Sequence, residues 1–556
     1  MTDMQLYHAL ADAFAAEGVD TQFVLMGDGN MHWVTAFSKL PGIKTYHVRH
    51  EHCAAAAALG YYIATGKVAA VSVTCGPGLT QITGPIATAA RARIPFVVFA
   101  GESPINARYY NQWIEQAPLA NAPGAHYIAA HSMPRMMEYV REAFWIARHE
   151  RRPVVLGVPY DLQKLPFSTN TSYMPSAAVL PEPVRIAPDP RRIAEIADRL
   201  HAARRPIIVA GRGVIHAGAN GAVEAVADKA GALLATTLPA RGMFDHHPFG
   251  IGVTGGYSSD VAKDAFAAAD LVLFIGASMA YQVSDGGSLF PDAFSIQIDS
   301  RPLGLRDGMQ AAKLIVTADA ALAAQAVADA LDKLGATRSE VRTPGLAQRI
   351  ATEPADSARF DVEPGLLDPR AVISALDRVI PKDWDIVSGS GHQAYFNSQM
   401  KGRPPEAFHV IREFGAVGNG LSYAMGVAAA RGHGRVALID GDGGFLMHIQ
   451  ELETCKRHGL RILFCILNDG AFGSEIHKLR ADGVDDSGAI FGRPPFEAIA
   501  KGFGLRGAEI RDLTNLDQLF AAFDSQPDAE VWNIQISDKV VAPVTRKIMV
   551  RGHGVM

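Results

Sequence analysis

The chain has 556 residues, 48% hydrophobic and 20% charged, with 53 glycines and a formal net charge of −5. That length exceeds one compact core and points to two to four domains, read here as three, and the composition excludes a disordered chain. The slight negative charge creates no field that would gather phosphates, so nucleic-acid binding is not expected.

The chain opens on MTDMQLYHALADAF, which has the pattern of an amphipathic helix. It lacks the basic start, apolar run and cleavage site of a signal peptide, and a cytoplasmic location is expected. Up to about residue 165, short β-type runs at 22–25, 69–74, 95–100 and 153–158 alternate with helical stretches, a parallel α/β rhythm. Residues 68–90 carry no charge, but Gly76-Pro77-Gly78 and Gly84-Pro85 interrupt them, so no membrane span is expected. Residues 166–188, rich in Pro, Ser, Thr and Asn, read as a surface link. A second α/β unit over 189–334 has strand runs at 206–210, 233–236, 271–275 and 294–298 and a helix over 190–203. After a polar link at 335–368, a third unit over 369–556 has strand runs at 386–388, 436–439, 462–467 and 531–536. The expected fold class is α/β, with three consecutive parallel-sheet domains whose first and third members share a rhythm. Cys53, Cys75, Cys455 and Cys465 form no C-x-x-C pair and lie in mostly apolar surroundings, the setting of buried free thiols.

Chemistry concentrates in two glycine loops that each follow a strand run: Asp440-Gly441-Asp442-Gly443-Gly444-Phe445 and Asn468-Asp469-Gly470-Ala471-Phe472-Gly473. In a parallel sheet both lie at one carboxyl edge, where ligands bind. Asp442 and Asp469 would offer hard oxygen ligands, and the glycines would let backbone groups approach a diphosphate. Taken singly, each Asp equally suits a turn or a helix start. Glu51, in Val48-Arg49-His50-Glu51-His52, sits where a strand passes into a helix of small residues. By residue type alone it is a helix N-terminal carboxylate. Arg412-Glu413-Phe414-Gly415-Ala416-Val417-Gly418-Asn419 opens another small-residue helix, and Ser388-Gly389-Ser390-Gly391-His392 follows a strand.

Gly441-Asp442-Gly443, Gln450-Glu451-Leu452 and the strand ending in Asn468-Asp469 together resemble the diphosphate-binding signature of thiamine-diphosphate-dependent enzymes. The family includes acetolactate synthases, 2-oxo acid decarboxylases and benzaldehyde lyases. The resemblance extends over nearly the whole chain and implies pyrimidine-binding (1–165), central (189–334) and diphosphate-binding (369–556) domains. It implies Mg²⁺ held by Asp442, Asp469 and the Ala471 carbonyl, with Gly441, Gly443, Gly444, Phe472 and Gly473 around the diphosphate and Ser390 and His392 as donors to it. Glu51 would bind N1′ of the aminopyrimidine, so that the C2 ylid forms. Gly415 would contact N4′ through its carbonyl, Val417 would hold the cofactor bent, and Gly76, in Thr74-Cys75-Gly76-Pro77-Gly78, would lie near the pyrimidine. Asp28, in Gly27-Asp28-Gly29-Asn30, resembles a substrate-reaching Asp of the decarboxylases. Glu475 and His477 would lie over the thiazolium, where they could meet the substrate.

The implied reaction cleaves or forms a C–C bond on a 2-oxo acid, with an aldehyde or ketone as a possible acceptor. The family's sites form between subunits, so a homodimer or homotetramer is implied. Two departures separate the chain from a standard acetolactate synthase. Ile114 stands in the place of a cofactor-positioning Gln, and the central segments Thr254-Gly255-Gly256-Tyr257 and Gly276-Ala277-Ser278-Met279 lack the usual flavin contacts. Flavin is therefore not expected. The alternatives are a flavin-containing acetolactate synthase, an acyloin or benzaldehyde lyase-type enzyme, and a non-catalytic cofactor-binding homologue.

Overall fold

The computed structural model describes residues 4–168, 172–302, 304–305 and 310–551. Their backbone forms three six-stranded sheets, and every strand pairing within these sheets is parallel. In spatial order the first runs Lys44–His47, Thr21–Val24, Ala70–Val73, Val97–Glu102, Val154–Pro159, His126–Ala129. The third runs Phe408–Val410, Asp385–Ser388, Val436–Gly441, Leu463–Asn468, Glu530–Gln535, Arg506–Ile510. Numbered by sequence within each sheet, both follow the order 2-1-3-4-6-5, so the shared rhythm of the first and third units is a shared topology. The central sheet follows 3-2-1-4-5-6, from Gly250–Val253 to Leu314–Thr317.

Each sheet has two strands beyond those read from apolar runs, and these are its two edges. Lys44–His47, Arg506–Ile510 and Leu314–Thr317 are partly exposed and carry polar or alternating residues. A parallel strand reads as a continuous apolar run only when both faces are covered. The polar link at 335–368 also holds a helix, Pro344–Thr352, capped by the Thr343 side chain accepting from Leu346 N. It forms because Leu346 and Ile350 find the central core to pack on.

Two helices position everything that follows. Glu51–Thr65 is buried over Cys53–Tyr61 and Gly420–Arg431 over Gly420–Ala429, because both are built from Ala, Gly and a few large residues. They cross so closely that a Cβ on Gly426 would stand 1.9 Å from the Ala57 carbonyl oxygen, and one on Gly60 would stand 2.2 Å from that of Tyr423. One apolar core therefore runs through the first and third units, while the central unit keeps its own. All four cysteines are buried free thiols. Among the described residues no helix is long and apolar enough to cross a membrane.

Candidate active site

In the order 2-1-3-4-6-5 the connections leave in opposite directions from the first and third strands of a sheet, which opens a crevice at their carboxyl ends. In the C-terminal sheet those strands are Asp385–Ser388 and Val436–Gly441, followed by the 389–392 loop and by Asp442. The neighbouring strand Leu463–Asn468 delivers Asp469 to the same edge.

Asp442 is buried, at 2% exposure, and opens the helix Asp442–Met447. Its Oδ1 accepts from Gly443 N (2.8 Å) and its Oδ2 from Gly470 N (2.6 Å), which ties the two glycine loops together. Asp469 Oδ1 accepts from Ala471 N at 3.3 Å. Burial pushes the Asp442 carboxyl up to about 6, against the pull of those two backbone N–H groups. Burial and the adjoining Asp442 charge push Asp469 well above the carboxylate range. Two carboxyl groups held side by side in this way cannot both ionise easily, and a divalent cation between them removes that conflict. Among the described residues no three His, Cys, Asp or Glu side chains are grouped to hold a metal. A cation here must complete its shell with a backbone carbonyl, such as that of Ala471, and with ligand oxygens, as Mg²⁺ beside a diphosphate does.

The glycines leave the space such a ligand needs. A Cβ on Gly473 would stand 2.5 Å from Asp469 Oδ2, one on Gly443 2.8 Å from the Phe472 ring, and one on Gly441 3.1 Å from Gln393 Oε1; Gly444 lies against Asp440 and Val417. Ser390 is buried on the adjoining loop. His392 Nε2 accepts from Ala542 N at 2.9 Å, so its proton sits on Nδ1, on the side facing Gly473. The His477 ring lies 4.6 Å from that of His392, and its buried Nε2 has no hydrogen-bond partner. Burial lowers His392 to about 3 and His477 to about 4, so both are neutral donors or acceptors at physiological pH. Glu475 stands apart, exposed and 3.7 Å from Lys478.

Gly415 takes a left-handed φ of 72° in the loop before Gly420–Arg431, and Val417, 39% exposed, reaches to within 3.3 Å of a Cβ position on Gly444. The residues that anchor this loop escaped the sequence reading. His448 Nδ1 donates to the Gly418 carbonyl (2.9 Å), and His52 Nε2 donates to Asn419 Oδ1 (2.5 Å). The His52 and His448 rings stack at 4.5 Å. Asp440 was also missed as a site residue: Gln393 Nε2 donates to its Oδ1 at 3.0 Å, while its Oδ2 is buried without a partner. No local pattern announces these pairs, since their members lie 30 to 396 residues apart.

The N-terminal sheet opens the same kind of crevice. Gly29 N donates to Thr74 Oγ1 (3.1 Å), so the turn bearing Asp28 lies against the Thr74–Gly78 turn. Gly76, with φ 55°, leaves only 1.9 Å between a Cβ and the Gln112 carbonyl oxygen, and its N–H donates to buried Gln116. Glu51 starts its helix half-buried, with Oε1 3.5 Å from a Cβ position on Gly78. Asp28 is exposed. Among the described residues, neither Glu51 nor Asp28 makes a hydrogen bond or ion pair to Asp442, Asp469, His392 or His477 within the one chain.

Three family models match the chain. The thiamine pyrophosphate enzyme N-terminal TPP-binding domain matches residues 4–122, the central domain 193–345 and the C-terminal TPP-binding domain 389–528. Similar proteins include the acetolactate synthase large subunit of Parasynechococcus marenigrum, 28% identical over 95% of this chain and 87% of that protein. The acetolactate synthase isozyme 2 large subunit of Escherichia coli is 27% identical over 93% and 92%. The mitochondrial acetolactate synthase catalytic subunit of Saccharomyces cerevisiae is 25% identical over 97% and 81%.

Proposed function

The chain belongs to the thiamine pyrophosphate enzyme family, and from that premise we propose that it cleaves or forms a carbon–carbon bond beside the carbonyl of a 2-oxo acid, using thiamine diphosphate and Mg²⁺. The observation that carries this reading is the Asp442–Asp469 pair, a buried and a partly buried carboxyl group on glycine loops at the crevice of the C-terminal sheet. Bound thiamine diphosphate supplies an acidic thiazolium C–H whose loss makes the nucleophile for a carbonyl carbon. Asp442, Asp469 and the Ala471 carbonyl hold the metal, and Ser390 and His392 donate toward the diphosphate. Gly415 and Val417 hold the pyrimidine side. Glu51 keeps a proton at the pyrimidine ring nitrogen, and His477, with its free Nε2, is the group available to a substrate oxygen.

The family's sites form between subunits, which supports a homodimer, or a dimer of dimers, with each site built from two subunits. Full-length similarity to acetolactate synthases favours a second reading, carboligation of pyruvate. Ile114 weighs against it, because an apolar side chain cannot make the hydrogen bond of a positioning Gln. The missing flavin contacts at Thr254-Gly255-Gly256-Tyr257 and Gly276-Ala277-Ser278-Met279 support a structural central domain with little flavin, and the apolar Ile114 supports a 2-oxo acid bulkier than pyruvate. A panel of 2-oxo acids, given with thiamine diphosphate and Mg²⁺ and with or without aldehyde acceptors, tests the reading through CO₂ release and acyloin product. Efficient acetolactate formation by protein purified yellow with flavin would overturn the choice of substrate, and no turnover of any 2-oxo acid would overturn the reaction class.

A further inference from the structure

Asp440 lies in the strand Val436–Gly441 and is 0% exposed. No step of the reaction proposed above uses it. Among the described residues no Lys, Arg or His forms an ion pair with it, and removing a carboxyl group from water without a cation is costly. Three groups offset that cost. The Asp440 Oδ1 accepts from Gly441 N (2.9 Å) and from Gln393 Nε2 (3.0 Å). The Oδ2 has no hydrogen-bond partner, but it lies 2.1 Å from a Cβ position on Gly420, the first residue of the helix Gly420–Arg431, where the helix dipole is positive.

Gln393 directly follows His392 in the chain, and Asp442 lies two residues beyond Asp440. The Gln393 bond therefore joins the 389–393 loop to the metal loop. A Cβ on Gly389 would stand 1.8 Å from Asp440 Oδ1, and one on Gly444 3.3 Å from it. A Cβ on Gly420 would also come within 3.1 Å of Gly389 Cα, so three segments close on one carboxyl group. Gln393 is buried as well, and its Oε1 lies 2.4 Å from a Cβ position on Gly391 and 3.1 Å from one on Gly441. Both side chains are shut off from solvent, so the loss of either leaves the other unpaired with no water to replace it.

We propose that Asp440 is a positioning residue for the cofactor. It clamps the loop of Ser390 and His392, the metal loop of Asp442 and the start of Gly420–Arg431 in the arrangement that binds thiamine diphosphate with Mg²⁺. Closed to solvent, it acts through these segments and not by contact with the cofactor. The proposal rests on the reading of the site given above.

The test is calorimetric titration of the full-length protein with thiamine diphosphate at fixed Mg²⁺, together with urea midpoints, for wild type, Asp440→Ala, Asp440→Asn, Gln393→Ala and the double Ala variant. Asp440→Ala and Gln393→Ala should each weaken cofactor affinity at least about tenfold, the scale of a buried hydrogen bond left half-paired. The double variant should bind no more weakly than Asp440→Ala alone, because both changes remove the same bond. Asp440→Asn keeps the Oδ1 acceptor and should stay within about threefold of wild type. A merely structural Asp440 would lower the urea midpoints and leave the affinity of the folded variants unchanged; that result, or additive losses in the double variant, would overturn the clamp alone. If Asp440→Ala does not fold, Gln393→Ala decides, and wild-type affinity there overturns it. Wild type that fails to bind thiamine diphosphate with Mg²⁺ would overturn the reading of the site itself, and the clamp with it.

Discussion

Glu51 and Asp442 separate activation from binding, and their variants should fail differently. Glu51→Gln keeps the size and hydrogen bonding of the side chain and removes only its acid–base capacity. It should bind thiamine diphosphate in calorimetry and lose activity by about 10²–10⁴, the scale of lost acid–base assistance. Near-normal turnover would remove Glu51 from the chemistry. Asp442 holds two backbone N–H groups and, by the reading above, the metal. Asp442→Ala should therefore lower the affinity for thiamine diphosphate with Mg²⁺, and an unchanged calorimetric affinity would put the metal elsewhere.

The crossing of Glu51–Thr65 with Gly420–Arg431 ties the first and third units together within the chain, and it depends on backbone contact. Gly426→Ala should gain up to about 1 kcal/mol of helix propensity and lose more, about 1–3 kcal/mol, to overpacking against the Ala57 carbonyl. A lower denaturant midpoint is expected; a raised one would mean that the helices separate freely. At the start of the helix Glu51–Thr65, burial lowers His52 to about 4, and the nearby His448 and His50 push the same way against the Asn419 hydrogen bond. In the unfolded chain its value returns to about 6.5. Between pH 6.5 and 4 the unfolded state then binds more protons than the native state, so this contribution is full above 6.5 and is lost as the pH falls. His52→Gln, which can still bond to Asn419, should flatten the fall of the urea midpoint across that window, and an unchanged slope would assign the fall to other groups.

At the scale of the whole molecule, each active site is proposed to take Glu51 from one chain and the metal loops from another. Glu51→Gln and Asp442→Ala chains, each inactive alone, should then complement when refolded together. Random pairing makes half the dimers mixed, each with one intact site of two, so about a quarter of wild-type activity should return. Activity that stays at the level of the separate variants would mean that both groups serve a site in a single chain.

The buried strands and the two glycine loops that follow them were legible in the sequence because their signals are local. A strand covered on both faces must be a continuous apolar run, as at Leu463–Asn468, and a loop that admits a ligand next to such a strand must carry Gly and Asp together. The Ala-rich run after Glu51 likewise announced a tightly packed helix. Edge strands such as Lys44–His47 and Arg506–Ile510 left no such signal, because one side of each lacks a neighbouring strand and polar residues are tolerated there. The anchoring of the 415–419 loop by His52 and His448, the pairing of His392 with His477, and the bond from Gln393 to Asp440 were decided only by tertiary structure. Each is a contact between residues far apart along the chain, brought together by sheet order and by helices that pack backbone against backbone.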